Sequence, residues 1–170
     1  TYLLKGDDVE PTILEAIRVG YTHFDTAQMY DNEKEIGAAL KKSMRPRSSF
    51  FITSKQQYHL SFEEAKKAFF QTLENLQTDY LDLYLVHWPN HDDQVNQNTW
   101  TFFEWLYDNH YVKAIGVCNF TRYQMDTLLK TAKIPPMVNQ VELHPGLTQM
   151  PLRKYLKEKN IQVISYGPFM

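Results

Sequence analysis

Residues 80–87, YLDLYLVH, form an apolar run that stops at a histidine, and this pattern decides the fold. A strand buried on both faces of a parallel sheet reads as a short apolar run. Other runs also stop at a polar or charged residue: YTHFD (21–25), FFITSK (50–55), KAIGVCN (113–119), MVNQ (137–140) and IQVISY (161–166). The sequence therefore predicts six buried strands with polar carboxyl ends.

Amphipathic stretches separate these runs, and typical helix-boundary residues flank them. The predicted helices are PTILEAIRV (11–19), EKEIGAALKK (33–42), AKKAFFQTLENL (65–76), MDTLLKTA (125–132) and PLRKYLKEK (151–159). The boundary residues are Gly20 after the first helix, Asn32 before the second, and the pairs Ser61 with Glu64, Thr121 with Gln124, and Thr148 with Pro151. The most polar stretch, HDDQVNQN (91–98), is predicted to be a loop.

Strands that alternate with helices indicate an α/β protein with a parallel sheet. The prediction is a parallel (β/α)8 barrel, in which the carboxyl ends of all strands open onto one face. A complete barrel of this type needs about 250 residues, whereas this sequence has 170 residues and six candidate strands. We therefore expect a single barrel domain over residues 1–170 that is incomplete and leaves open sheet edges.

The composition indicates a globular protein and excludes several functional classes. The chain is 43% hydrophobic, which is enough for a core, and has a net charge of -2 with both signs scattered. It has no basic face for nucleic acid and no run of about 20 apolar residues for a membrane span. One cysteine, Cys118, excludes an internal disulfide framework, so we expect a cytoplasmic protein.

Four polar side chains follow or end successive strands and together suit proton transfer to a carbonyl: Asp25, Tyr30, Lys55 and His87. A phenol has an ordinary pKa near about 10, so it exchanges a proton at neutral pH only if the phenolate is stabilised. The ammonium of Lys55 can lower the pKa of Tyr30, while Asp25 keeps that ammonium charged and fixed. Tyr30 would be the general acid, and His87 would orient the carbonyl oxygen.

Each of these residues has an ordinary structural explanation when it is taken alone. Asp25 could cap a turn, Lys55 could be a solvated strand end, and Tyr30 and His87 could be packed core residues. Their shared position at strand ends favours a common site. A metal-dependent hydrolase is an alternative, because His87, His91 and Asp92 are close in sequence, but no HxH or HExxH pattern occurs. No metal site is therefore predicted.

Four segments resemble the signature stretches of the aldo-keto reductase family: GYTHFDTAQMYDNEKEIGAAL (20–40), DYLDLYLVHWP (79–89), VKAIGVCNF (112–120) and VNQVELHP (138–145). The resemblance covers the whole chain and implies a (β/α)8 barrel that binds NADP(H) across its carboxyl face. It also implies that Asp25, Tyr30, Lys55 and His87 match the family's catalytic tetrad. By the same comparison, the chain lacks the family's first strand and the C-terminal part of the barrel.

The resemblance implies further residues around the cofactor and the substrate. The cofactor-binding residues would be Asp25, Cys118, Asn119, Gln140, Tyr166, Gly167 and Phe169, with Tyr166 stacked on the nicotinamide. Cys118 stands where serine is usual, and a thiol is a weaker hydrogen-bond donor. Tyr2 and Trp88 would line the substrate pocket, and Gln57 replaces a common aromatic residue. The family's basic segment that binds the 2'-phosphate has no counterpart in these 170 residues. A preference for NADP is therefore implied only by the family resemblance.

The expected function is reduction of aldehydes or ketones by NADPH, with a small carbonyl compound as substrate and a monomer as the complete protein. Neither nucleic acid nor membrane is expected as a partner. Two alternatives stay open: a non-catalytic, cofactor-sensing or regulatory subunit, and an inactive fragment of an active reductase. Substrate identity does not follow from these residues, because pocket selectivity in such barrels depends on loops.

Overall fold

The computed structural model describes residues 1–169, in which six parallel strands form one sheet. The strands are β1 (His23–Asp25), β2 (Phe51–Gln56), β3 (Leu83–Val86), β4 (Ile115–Cys118), β5 (Val138–Glu142) and β6 (Gln162–Tyr166). Each strand pairs in parallel with the next one along the chain. The sheet is a curled half-barrel, which confirms the predicted fold class and the position of every predicted strand.

Six helices alternate with the strands in the structure, and five of them match the helices predicted from the sequence. They are α1 (Val9–Arg18), α2 (Glu33–Lys42), α3 (Phe62–Leu76), α4 (Asp93–Asp108), α5 (Arg122–Leu129) and α6 (Met150–Glu158). Short 3₁₀ turns occur at Gly6–Asp8, Gln28–Tyr30 and Arg47–Ser49. In the part of the chain that the structure covers, no helix has the length and apolar character needed to cross a membrane.

The predicted helix boundaries are mostly confirmed. Capping boxes form before α3 and α5, where Ser61 pairs with Glu64 and Thr121 pairs with Gln124. Gly20 follows the end of α1 with a φ of 102°, a left-handed conformation that favours glycine. The prediction for Thr148 was wrong, because Gln149 occupies the N-cap position of α6.

The prediction of a loop over residues 91–98 was also wrong, because α4 begins at Asp93. Three local hydrogen bonds explain the difference. The carboxylate of Asp92 accepts a hydrogen bond from the backbone N–H of Gln94, which caps the helix. Asn96 exchanges side-chain hydrogen bonds with the backbone of Asn90, which anchors the first turns. The first turns of α4 are mostly polar and its buried apolar residues begin only at Trp100, so the sequence pattern did not indicate a helix.

The larger core lies between the sheet and the helices and is rich in aromatic rings. Tyr84 of β3 stacks on Phe103 of α4 at 5.0 Å, and Trp100 continues the stack at 5.6 Å. A smaller apolar cluster fills the inner side of the half-barrel, and consists of Leu83, Leu85, Cys118 and Val138. These two layers hold the strands in place, so that their carboxyl ends meet on one side.

Helices α2 and α3 approach so closely that Gly37 has no room for a methyl group. A Cβ at Gly37 would lie 2.2 Å from the backbone oxygen of Asn75. Helix propensity alone would favour alanine by about 1 kcal/mol, but overpacking against backbone costs about 1–3 kcal/mol or more. We therefore expect Gly37→Ala to lower the free energy of unfolding by about 1–2 kcal/mol in urea titrations.

Gly146 provides the matched control, because a Cβ there would meet only the His144 ring at 3.4 Å. Gly146→Ala should leave the free energy of unfolding within about 0.5 kcal/mol of the parent. Equal stabilities of the two variants would contradict the close approach of α2 and α3.

A buried carboxylate ties the amino ends of the strands together, on the side opposite to the polar strand ends. Asp82 accepts hydrogen bonds from Arg47 Nη2 at 2.8 Å, Lys113 Nζ at 2.9 Å and the Ile52 N–H at 2.9 Å. Burial alone would raise the pKa of Asp82, but these hydrogen bonds outweigh it and lower that pKa below its ordinary value.

This lowered pKa gives a pH-dependent contribution to stability. The contribution is present above the unfolded-state pKa, near about 4, and is lost as pH falls through the lower folded-state pKa. We expect Asp82→Asn to lose about 2 kcal/mol at neutral pH, since its hydrogen bonds to charged groups weaken. The loss should shrink below that pH range in urea titrations. A constant difference between the two proteins at every pH would contradict the assignment.

Candidate active site

The polar residues at the carboxyl ends of β1, β2 and β3 meet in the structure as the sequence predicts. Asp25 ends β1, Lys55 lies one residue before the end of β2, and His87 directly follows β3. Tyr30 ends a 3₁₀ turn that lies between β1 and α2. The four side chains of the predicted tetrad therefore come from adjacent strands and one short turn.

Lys55 is the centre of this cluster. Its side chain is 1% exposed, and Nζ forms an ion pair with Asp25 Oδ1. Nζ also donates to the Thr26 carbonyl at 2.9 Å and to the Tyr30 hydroxyl at 3.4 Å. Burial alone would lower the pKa of Lys55, but Asp25 and Tyr30 raise it above its ordinary value. The ammonium is therefore charged at neutral pH, and its three protons have acceptors.

Tyr30 is a protonated phenol beside this ammonium. Burial raises the pKa of Tyr30 above its ordinary value, whereas Lys55 acts in the opposite direction. The sequence predicted the effect of Lys55 correctly but not the balance, because burial of the phenol outweighs the nearby charge. The phenol therefore holds a proton that it can give to a base, and Lys55 stabilises the phenolate that remains.

His87 faces the phenol as a neutral imidazole. The rings of Tyr30 and His87 lie 5.7 Å apart in an edge-to-face arrangement. Burial, followed by the nearby Lys55, lowers the pKa of His87 to about 4. In the described residues, His87 Nδ1 is buried and has no hydrogen-bond partner. A neutral imidazole carries one N–H, which can donate to a carbonyl oxygen without adding a second charge.

The amide of Asn119 joins the ends of β3, β4 and β6. Asn119 follows β4 with a φ of 63°, and its Nδ2 donates to the His87 carbonyl at 3.1 Å. The hydroxyl of Tyr166 donates to Asn119 Oδ1 at 2.9 Å. The side chain of Tyr166 is half-buried, so part of it remains exposed at the carboxyl ends of the strands.

Gln140 and Cys118 are both buried inside the half-barrel. Gln140 Nε2 donates to Asp25 Oδ2 at 2.8 Å, so Asp25 is held by both Lys55 and Gln140. The Cys118 thiol is 1% exposed and lies 3.9 Å from Gln140 Oε1. Burial raises the pKa of Cys118, which therefore stays a neutral thiol. Because its thiol lies next to the Gln140 amide, Cys118 would influence a bound cofactor by positioning that amide.

The remaining predicted residues lie around the rim. Tyr2 is 68% exposed, and its ring lies 5.2 Å from that of Tyr30. Trp88 is 51% exposed and stacks on His87 at 6.4 Å. Gly167 and Phe169 follow β6, where Gly167 has a φ of 61° and the side chain of Phe169 is fully exposed. Tyr2 and Trp88 are thus beside the tetrad, whereas Phe169 extends away from the core.

The sequence interpretation missed one residue that supports this rim. Asn32 stands at the N-cap position of α2 as predicted, but its side chain does not cap the helix. Its Oδ1 accepts from Thr26 Oγ1 at 2.9 Å, and its Nδ2 donates to the carbonyls of Thr1 and Leu4 at 3.0 Å. Asn32 thereby holds the segment that carries Tyr2. The one sequence signal for this role is that Asn32 lies two residues after Tyr30, in the same motif.

No group of three or more His, Cys, Asp or Glu residues that could hold a metal ion occurs within residues 1–169. The site itself brings together a charged lysine, a carboxylate, a protonated phenol, a neutral imidazole and several amides.

Comparison with known proteins identifies the family. The profile of the aldo/keto reductase family matches residues 4–170. Glyoxal reductase of Bacillus subtilis (strain 168) is 45% identical over 167 residues, which cover 98% of this chain and 60% of that protein. The 9,11-endoperoxide prostaglandin H2 reductase of Trypanosoma cruzi (strain CL Brener) is 40% identical over 164 residues, which cover 96% of this chain and 57% of that protein.

Solved structures agree with the sequence relatives. An aldo-keto reductase from a Medee basin deep-sea metagenome library superposes with a TM-score of 0.94 at 42% identity, covering 98% of this chain and 61% of that one. An aldo/keto reductase from Brucella melitensis superposes with a TM-score of 0.92 at 36% identity, covering 96% and 64%. The chain thus spans about 60% of the length of its relatives. On the extent of the match to the family profile, this chain belongs to the aldo/keto reductase family.

Proposed function

We propose that the protein reduces aldehydes or ketones to alcohols, with NADPH as the hydride donor. The observation that carries the proposal is the contact of one buried ammonium with both a carboxylate and a phenol. Lys55 Nζ pairs with Asp25 and lies 3.4 Å from the Tyr30 hydroxyl, with the His87 ring beside that phenol. This arrangement suits delivery of a proton to a carbonyl oxygen.

The residues at the open face fit a nicotinamide ring. Tyr166 offers a half-buried aromatic ring at the end of β6. Gln140 lies on the neighbouring strand β5, and Asn119, which directly follows β4, accepts the hydrogen bond of the Tyr166 hydroxyl. An amide pair can serve both the donor and the acceptor of a carboxamide, while an aromatic ring fixes the plane of a stacked group. Asn119, Gln140 and Tyr166 would hold the nicotinamide, with Asp25 and Cys118 behind them. Gly167 and Phe169 would contact the cofactor from the end of β6.

When bound, NADPH supplies the hydride that reduces the carbonyl carbon. The residues of the chain supply the proton to the carbonyl oxygen. The His87 N–H orients the carbonyl oxygen toward the Tyr30 hydroxyl, and Tyr30 gives up its proton as negative charge develops on that oxygen. Lys55 stabilises the resulting phenolate, and Asp25 keeps Lys55 charged. In the direction of alcohol oxidation, the same phenolate is the base.

The choice of NADP(H) over NAD(H) rests on the family resemblance. The substrate is proposed to be a small carbonyl compound, because the aromatic rings of Tyr2 and Trp88 stand next to Tyr30 and His87, respectively. The relative from Bacillus subtilis is named for glyoxal, which is a compound of that size. We further propose a single-domain, monomeric and cytoplasmic protein that binds neither nucleic acid nor membrane. The single cysteine, buried and reduced, supports a reducing compartment.

The test is NADPH consumption by the purified protein with glyoxal and with an aromatic aldehyde, alongside NADPH titration by fluorescence. Consumption that requires both the aldehyde and the protein would support the proposal. Tight NADPH binding without turnover would reject catalysis and favour a cofactor-sensing role. Absence of both binding and turnover would reject the proposed function altogether.

A further inference from the structure

Gln28 opens the 3₁₀ turn that ends at Tyr30, and its side-chain amide connects that turn to three other elements. Its Oε1 accepts a hydrogen bond from the backbone N–H of Gln57 at 3.0 Å, directly after β2. Its Nε2 lies within hydrogen-bond distance of three oxygens, which are the Tyr84 hydroxyl at 3.0 Å, the Thr72 hydroxyl at 3.1 Å and the Ala68 carbonyl at 3.3 Å. Both ends of the amide therefore have protein partners.

The orientation of this amide is fixed by its partners. A backbone N–H can only donate, so the atom facing Gln57 must be the carbonyl oxygen of the Gln28 side chain. The Ala68 carbonyl can only accept, so the atom facing α3 must be the nitrogen. A flipped amide would place two donors together on one side and two acceptors on the other. Gln28 thus connects the turn to β2, α3 and β3 in one geometry.

A second set of hydrogen bonds continues from Gln28 to the strand that carries Lys55. The hydroxyl of Thr72 donates to Glu33 Oε2 at 3.2 Å, and the hydroxyl of Ser54 donates to Glu33 Oε1 at 2.6 Å. Ser54 precedes Lys55 in β2, and Gln57 follows it by two residues. The turn of Tyr30 is therefore tied to β2 on both sides of Lys55.

We propose that Gln28 is the positioning residue of Tyr30, because its amide sets the distance from the phenol to the ammonium of Lys55. The inference rests on the proposed function for its catalytic consequence. Tyr30 itself has one side-chain hydrogen-bond partner in the described residues, Lys55 Nζ at 3.4 Å. The Tyr30 ring also packs against Tyr2 and His87, but these contacts are not made with Lys55. The position of the turn that carries Tyr30 therefore sets the distance between the phenol and the ammonium.

The main test is Gln28→Met, which keeps a side chain of similar length and removes every hydrogen bond of the amide. We expect kcat to fall by about 10- to 100-fold, since a displacement of about 1 Å can cost that much. KM should change little, because both ends of the Gln28 amide are already hydrogen-bonded to protein groups. Gln71→Met is the matched control, since Gln71 lies on the exposed side of α3 and, among residues 1–169, its side chain bonds to Glu74 and Asn75 alone.

The second readout is the titration of Tyr30 in the protein without substrate. Ultraviolet difference titration against a Tyr30→Phe background isolates this phenol from the other tyrosines. Burial raises the pKa of Tyr30, Lys55 lowers it, and Asp25 raises it. A phenol that moves away from Lys55 in Gln28→Met should titrate at higher pH than in the parent. A purely structural role of Gln28 would lower the melting temperature and leave this titration unchanged.

Tyr84→Phe provides a second variant that removes only one partner of Gln28 and keeps the stacked ring. It should give the same changes in smaller size, with kcat about two- to tenfold lower. If Gln28→Met does not fold, Tyr84→Phe decides the question by the same two readouts. Parent-like titration of Tyr30 and parent-like kcat in the folded variant would overturn the proposal. If the parent itself shows no turnover, the proposed function fails, and the titration of Tyr30 alone decides the role of Gln28.

Discussion

Tyr30→Phe is expected to lower kcat for carbonyl reduction by about 10²- to 10⁴-fold, the range that a general acid contributes. The substitution removes one oxygen and keeps the ring that packs against Tyr2 and His87. NADPH affinity should stay within about twofold, since an interaction made only during the proton transfer affects kcat and not ground-state binding. Steady-state kinetics and fluorescence titration of the same preparation measure both quantities.

Tyr123→Phe is the matched control for this substitution. Its hydroxyl bonds to Asp93 on the exposed surface between α4 and α5, outside the predicted tetrad. The control should keep parental kcat and parental NADPH affinity. Near-parental kcat in Tyr30→Phe would refute Tyr30 as the proton donor. A large loss of NADPH affinity in Tyr30→Phe would instead assign the phenol to cofactor binding.

The strands were predictable from the sequence because burial on both sheet faces leaves a continuous apolar run. Each run in a parallel half-barrel is short and ends where the chain leaves the core, so a polar residue marks the end. Asp25, Lys55 and His87 follow from this rule alone. Helix α4 did not follow, because its first turns are mostly polar and its first buried residue is Asn96, while the buried apolar residues begin at Trp100.

The electrostatics of the site were only partly predictable. The sequence indicates that Lys55 and Tyr30 lie at the same edge of the sheet, and hence that the charge of Lys55 lowers the pKa of Tyr30. It does not show how deeply each group is buried, and burial decides the net pKa of Tyr30 and of Cys118. Likewise, the hydrogen bond from Gln140 to Asp25 joins residues far apart in the chain. No local sequence pattern predicts such a contact.

Lys55→Met is expected to lower kcat by about 10²- to 10³-fold and to move the pH profile. At an effective dielectric of about 20, a phenolate 3.4 Å from the ammonium gains about 5 kcal/mol of attraction. Part of that gain is offset by the cost of burying both charges, which accounts for the smaller expected effect. Without Lys55, the pKa of Tyr30 rises further, because burial then acts unopposed. The limb of the pH profile for alcohol oxidation, which requires the phenolate, should shift to higher pH.

Two further lysine variants separate the charge of Lys55 from its shape. Lys67→Met changes an exposed lysine on α3 and should leave both kcat and the pH profile at parental values. Lys55→Arg keeps the charge in a larger, planar group, so kcat should fall while the pH profile stays close to that of the parent. A profile that shifts equally in Lys55→Arg and Lys55→Met would mean that geometry, and not charge, is what Tyr30 takes from Lys55. A profile that shifts in neither variant, measured where proton transfer limits the rate, would show that the phenol is controlled by burial and by groups other than this ammonium.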